Sequence, residues 1–184
     1  VLNNFVNGKP LVYLENATRG TINDAGQVIL VNSRNVVVSN ASISNTTVGI
    51  ELWNSSNIKI ANCTLTNNGE GLSLHLSSRN TIENNLILNN RWYGIFFYES
   101  DSNNITGNRV ESMISGVEGI FLRNSTNNLF YNNLFNNSNN FYLSNSINTW
   151  NTTLSNRTNI LGGNAWLSPD GKGFSQTCSD IDSN

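Results

Sequence analysis

The sequence predicts an all-β chain wound as a single-stranded parallel β-helix, a solenoid of six to seven turns with three short strands per turn. Three observations predict it. A glycine-led phrase recurs as GIELWN, GLSLHL, GIFFYE and GIFLRN at Gly49, Gly71, Gly94 and Gly119, with spacings of 22, 23 and 25 residues. A period of this size is the signature of a stacked repeat. Each phrase is followed by a polar hinge and two further short runs, and no stretch shows the helical period. Asparagine, 38 of the 184 residues, gathers between the runs.

The elements follow in order. A short first turn begins with LVYLEN at Leu11, and QVILVN follows from Gln27. Four glycine-led turns come next, then NFYLSN from Asn140. Second strands read IKI at Ile58, TIE at Thr81, NIT at Asn104 and LFY at Leu129; third strands read TLT, LIL, RVE and LFN. Stacked turns pair like strands in parallel, about 4.8 Å apart. The coil is assigned to residues 1–161 and a truncated capping segment to 162–184.

The two-residue period of a strand sorts the side chains. One inward column of the first strands reads Val12, Val28, Ile50, Leu72, Ile95, Ile120, Phe141. The next reads Leu14, Leu30, Leu52, Leu74, Phe97, Leu122, Leu143. The second strands add Val36, Ile58 or Ile60, Ile82, Ile105 and Phe130, and the third Ile43, Leu65, Ile87, Val110 and Phe135. No polar residue interrupts the first two columns, which specifies the register. Asparagine columns occupy the corners: Asn40, Asn62, Asn84, Gly107, Asn132 beside Ala41, Cys63, Asn85, Asn108, Asn133. Another closes the first strand: Asn16, Asn32, Asn54, Leu76, Glu99, Asn124, Asn145. Asparagine tolerates the left-handed backbone of a sharp corner, and its amide satisfies corner peptide groups.

Composition excludes several functions. Charged residues make up 12% of the chain and the net charge is −2, so a duplex nucleic-acid binder is not expected. No apolar run approaches the roughly 20 residues of a membrane helix. Cys63 and Cys178 lack zinc spacing, and Cys63 falls in a corner column as a buried thiol. A start at Val1 and an end in an acidic polar run predict a processed or excised piece.

The Gly-Ile-x-Leu-x-Asn-Ser-Ser-Asn phrasing with NNxIxxN corners resembles the Asn-rich parallel β-helix family described as NosD-like, or as the domain of carbohydrate-binding proteins and sugar hydrolases. Val6–Asn16 and Gly162–Asn184 resemble the flanking segments of archaeal members. The resemblance implies a right-handed coil and a secreted or cell-surface location. It also implies that a cysteine partner of Cys178 lies beyond Asn184. Family members in nitrous oxide reductase maturation are associated with copper. Here His75, Met113, Cys63 and Cys178 stand in four separate places, so no copper site is expected.

The outward columns of the first strands point to function. They read Tyr13, Ile29, Glu51, Ser73, Phe96, Phe121, Tyr142 and Glu15, Val31, Trp53, His75, Tyr98, Arg123, Ser144. Contiguous aromatic exposure marks a binding or packing surface. Trp53, His75, Phe96, Tyr98, Phe121, Arg123 and Tyr142 are therefore the candidate ligand contacts, with a polysaccharide or a neighbouring surface-protein subunit as partner. A cover by Trp166 and Phe174 of the tail is the competing expectation. Catalysis has only weak candidates in Glu51, His75 and Arg123, because no two carboxylates face each other on adjacent turns. The expected role is a structural or adhesive surface module. The alternatives are a polysaccharide-active lyase or hydrolase and a self-assembling lattice or filament subunit. The Asp180-x-Asp182 spacing resembles the start of a calcium loop without its glycine and terminal glutamate, so no cofactor is assigned and calcium is left to a longer chain. Asn136, Asn151 and Asn156 are candidate glycosylation sites.

Overall fold

Every second residue of each strand is apolar, so a coil that turns one side of each strand inward closes a continuous core. The computed structural model describes residues 4–152 and 162–177, and it has this architecture. β1 (Phe5–Val6) and β2 (Lys9–Glu15) form an antiparallel hairpin, and β3 (Gly20–Ile22) ends a partial first turn. Five complete turns follow. They are β4 (Gln27–Val31), β5 (Val36–Ser39), β6 (Ser42–Ser44); β7 (Val48–Trp53), β8 (Lys59–Ala61), β9 (Thr64–Thr66); and β10 (Glu70–His75), β11 (Thr81–Glu83), β12 (Leu86–Leu88). Then come β13 (Tyr93–Tyr98), β14 (Asn104–Thr106), β15 (Arg109–Glu111); and β16 (Glu118–Arg123), β17 (Leu129–Tyr131), β18 (Leu134–Asn136). β19 (Asn139–Ser144), β20 (Ala165–Leu167) and the short helix α1 (Phe174–Thr177) end the described chain. Five full turns are fewer than the predicted six to seven, because the phrases at Leu11 and Asn140 open turns that lack one of the three strands.

The strands stack into one eight-stranded sheet, β1-β2-β4-β7-β10-β13-β16-β19, and two six-stranded sheets. The register of the first sheet joins Val12, Val28, Ile50, Leu72, Ile95, Ile120 and Phe141 in one column, as the sequence predicts. Its members from Val28 to Ile120 are fully buried. Phe141 and Leu143 are exposed instead, because no further strand lies beyond β19 among the described residues. In the second sheet the column is Ile22, Val38, Ile60, Ile82, Ile105, Phe130. Val36 and Ile58 are buried two residues earlier, and Ile58 N–H donates to Asn80 Oδ1 at 2.8 Å.

The asparagine columns are hydrogen-bonded ladders. Asn85 Oδ1 accepts from Cys63 N–H at 2.8 Å, and Asn85 Nδ2 donates to Ile60 C=O at 3.0 Å. Asn108 and Asn133 repeat the pattern one and two turns on, and Asn164 continues it. A second amide ladder runs through Asn80, Asn103, Asn128 and Asn148, and a hydroxyl ladder through Ser33, Ser55, Ser77, Ser100 and Ser125. Buried polar groups at the corners are thereby satisfied turn by turn. Left-handed backbone falls at the predicted corner residues: φ is 57° at Asn40, 55° at Asn62, 54° at Asn84 and 66° at Gly107.

Gly49 and Gly71 are required by close approach. A Cβ on Gly49 would meet Gly71 C=O at 2.7 Å, and one on Gly71 would meet Gly94 C=O at 2.6 Å and Ile87 at 2.7 Å. The glycine stack lets the backbone turn into the first sheet without a side chain in the core wall.

Cys63 is buried and unbridged, with its Sγ 3.4 Å from Ala61 C=O, and burial pushes its thiol pKa up. The far end of the core is closed by aromatic stacking. Trp150 lies 4.4 Å from Phe130, Trp166 lies 4.8 Å from Phe135, and Phe141 contacts both tryptophans at 5.3 Å. No helix among the described residues is long and apolar enough to cross a membrane.

Candidate functional site

The first sheet carries its outward side chains in the predicted columns. Glu51, Ser73, Phe96, Phe121 and Tyr142 are register neighbours, and so are Trp53, His75, Tyr98, Arg123 and Ser144. Aligned β-strands bring their rings into contact across the 4.8 Å spacing. Trp53 stacks on His75 at 4.1 Å with planes 4° apart. His75 then meets Phe96 at 5.5 Å, Phe96 meets Phe121 at 5.5 Å, and Phe121 stacks on Tyr142 at 4.9 Å. The rings form one strip over five successive strands, β7 to β19. Trp53 is 41% exposed and Tyr142 51%. The inner rings are half-buried because they cover one another.

Among the described residues, Trp166 and Phe174 of the tail do not lie over this strip, unlike the competing expectation. Trp166 packs under the end of the core. Phe174 is exposed and lines a recess of about 530 Å³ with Ser138, Asn139, Asn140, Phe141 and Trp166.

Three residues that the sequence reading missed join the strip: Glu70, Tyr93 and Glu118, which are register neighbours of one another. Strict alternation places the residue three before Ser73 inside. Gly71 and Leu72 both point inward at the glycine stack, so the alternation breaks and Glu70 emerges on the outer face. Tyr93 contacts Phe96 at 5.3 Å and Phe121 at 5.0 Å, widening the strip. Trp92, 54% exposed, lies over Gly69 beside Arg91. Recesses flank the pair, one of about 380 Å³ reaching Tyr93, Gly116 and Glu118.

The electrostatics centre on β7 and β10. Trp53 Nε1–H donates to Glu51 Oε1 at 2.8 Å, and Ser73 Oγ lies 2.9 Å from His75 Nε2. Burial lowers the His75 pKa against the opposing effect of Glu51. Burial raises that of Glu70, the neighbouring Glu51 carboxylate adds to the rise, and a hydrogen bond from Ser73 opposes it. Burial, then Glu118 and Glu70, raise that of Tyr93. Glu51 and Glu70 thus sense each other from adjacent turns, although they do not face each other: the register partner of Glu70 on β7 is Val48 and that of Glu51 on β10 is Ser73. Ser73 is fully buried beneath this network and out of a ligand's reach. Arg123 stands two register positions from His75, roughly 10 Å along the stack, with its guanidinium 5.7 Å from the Tyr98 ring centroid. It therefore does not join Glu51 and His75 in one site.

Asn136 sits within β18 between Glu111 and Leu167, with its amide oxygen buried, a poor position for a glycan attachment point. Asn151 is exposed. Asn156, Cys178, Asp180 and Asp182 lie outside the described residues.

A coil with one sheet face given over to stacked rings is a solenoid that presents a linear surface. The chain belongs to the NosD family: the sequence profile described as "Periplasmic copper-binding protein (NosD)" matches residues 2–171. Comparison with curated proteins finds none that matches. Among solved structures, the enzymatically active domain of bacteriophage CBA120 tailspike protein 2 is similar, with a TM-score of 0.59 and 15% identity over 85% of this chain and 26% of that one. A point mutant of the periplasmic alginate epimerase AlgG is similar at a TM-score of 0.50 and 21% identity, over 87% of this chain and 43% of that one. The chain therefore spans less than half of either structure, and the likeness is one of fold.

The copper of the family description needs imidazole or soft sulfur ligands. His75 is the only histidine of the chain, with one ring nitrogen at Ser73 and its face on Trp53. Cys63 is sealed in the core and Met113 is exposed on the loop after β15. Among the described residues no three His, Cys, Asp or Glu side chains converge to hold a metal. These donors do not fit a copper site.

Proposed function

We propose that this chain is an extracytoplasmic binding module that holds a polysaccharide along the strip from Trp53 to Tyr142. The observation that carries it is the continuity of ring contacts over five strands, exposed at Trp53 and Tyr142 and half-buried between them, a platform for the apolar faces of successive sugar rings. Stacking on aromatic faces, with Glu51, His75 and Arg123 at the edges for hydroxyl groups, is the chemistry such a ligand needs. The family's periplasmic description supports a location outside the cytoplasm, and the shared coil of an alginate epimerase supports a glycan ligand. The test is binding to a glycan array. Binding is expected, with loss of about tenfold or more in affinity for Trp53→Ala and for Tyr98→Ala. Retention of full binding by both variants would overturn the reading.

Glu51 and Glu70 favour a second reading, polysaccharide cleavage. Two carboxylates of unlike environment, one raised and one held by an indole N–H, are the ingredients of acid–base hydrolysis. Release of reducing ends from a bound glycan, abolished in Glu70→Gln and in Glu51→Gln with binding retained, would establish it. No release above the background of these variants would exclude it.

A further inference from the structure

The strip carries an excess of carboxylates at its centre. Glu51, Glu70 and Glu118 are half-buried around Trp53, Tyr93 and Phe96, and none of them is in an ion pair among the described residues. The ion pairs found lie away from the strip: Lys9 with Asp24, Lys59 with Glu83, Arg109 with Glu111. Glu15 on β2 and Glu99 at the corner after β13 add carboxylates, against two guanidiniums: Arg123, over Tyr98, and Arg91, which lines the recess beside Tyr93 and Glu118. The one imidazole, His75, is held toward its neutral form by burial.

Resting on the glycan-binding reading above, we infer that the strip selects amine-bearing glycans, polymers of glucosamine type, and rejects polyuronates. An ammonium group set beside Glu70 or Glu118 gains a partly desolvated counter-charge and the negative faces of Tyr93 and Phe96 at once. The same cation relieves the repulsion between Glu51 and Glu70. A uronate carboxylate beside Glu70 meets the like charges of Glu70 and Glu51 in a half-dry setting, which is how an interface discriminates against a wrong ligand. Neutral sugars stack on the rings but gain nothing from the carboxylates. The rings thus supply affinity for any sugar face, and the acids set which sugar is preferred.

Titration calorimetry with three oligomers of equal length tests this: glucosamine, N-acetylglucosamine and galacturonate hexamers. The glucosamine hexamer is expected to bind about tenfold more tightly than its N-acetylated form, and the galacturonate hexamer to show no binding. Glu70→Gln and Glu118→Gln should bring the glucosamine oligomer down to the level that the N-acetylated one shows with the same variant. Equal binding of the two amino-sugar forms, or binding of galacturonate at the level of glucosamine, overturns the inference and leaves the glycan reading standing. Failure of all three to bind removes both.

Discussion

At the scale of single residues, two side chains depart from what their positions ask for. Leu76 stands in a corner column that asparagine fills at five of its seven positions and Glu99 at another, with φ of 51° and half its surface exposed. A left-handed backbone costs an ordinary side chain about 1–2 kcal/mol, and asparagine much less. Leu76→Asn is therefore expected to stabilise the protein by about 1 kcal/mol, read as a higher Tm; an unchanged or lower Tm would count against that corner geometry. Glu70 is the other. Its pKa is raised above the ordinary 4.5, so the folded state holds the proton more tightly than the unfolded chain. Its stabilising contribution is full below 4.5 and is lost as pH rises through the folded value. Glu70→Gln is expected to be more stable than the parent at pH 7 and equal to it below pH 4.5, by urea unfolding at both. A gain of the same size at both pH values would show that the carboxylate is not the cause. A residue that weakens the free protein beside a stretch of exposed rings is what a site for a cationic ligand calls for.

At the scale of elements, the glycine stack and the ladders do different work. The ladders satisfy corner peptide groups, and the glycines allow β7, β10, β13 and β16 to begin against one another's backbone. Gly71→Ala places a methyl within 2.6 Å of Gly94 C=O, so a loss of several kcal/mol is expected, measured by denaturant midpoint. A loss under about 0.5 kcal/mol, the ordinary surface value, would mean the stack is not as close as described. The columns from Val28 to Ile120 and from Asn85 to Asn133 were legible in the sequence because each obeys one period and one residue class. Glu70 and Tyr93 were not, because the backbone turn at Gly71 and Gly94 reverses the inside–outside alternation just before them. Val36 stood in the column in place of Val38, and Ile58 stood as an alternative to Ile60, for a related reason: the asparagine position of the second-sheet ladder is filled there by apolar residues, which imitate a strand core position.

At the scale of the whole molecule, the low charge and the abundance of asparagine belong to the coil, and the residues that break its pattern belong to the surface of the first sheet. The strip's existence was legible, since Trp53, Phe96, Phe121 and Tyr142 recur at the turn spacing. Its openness was not, since only packing shows Trp166 closing the core end rather than lying across the rings. Nor was the closeness of Glu70 to Glu51, which depends on side chains from adjacent turns. The strip spans four strand intervals, about 19 Å. The most direct measurement is the affinity of the protein for oligosaccharides of increasing length. Affinity should rise with each added sugar until the ligand spans the strip and then level off, and Tyr142→Ala should move the plateau to shorter ligands. A disaccharide that binds as tightly as a long oligomer, with no effect of Tyr142→Ala, would contradict a linear binding face.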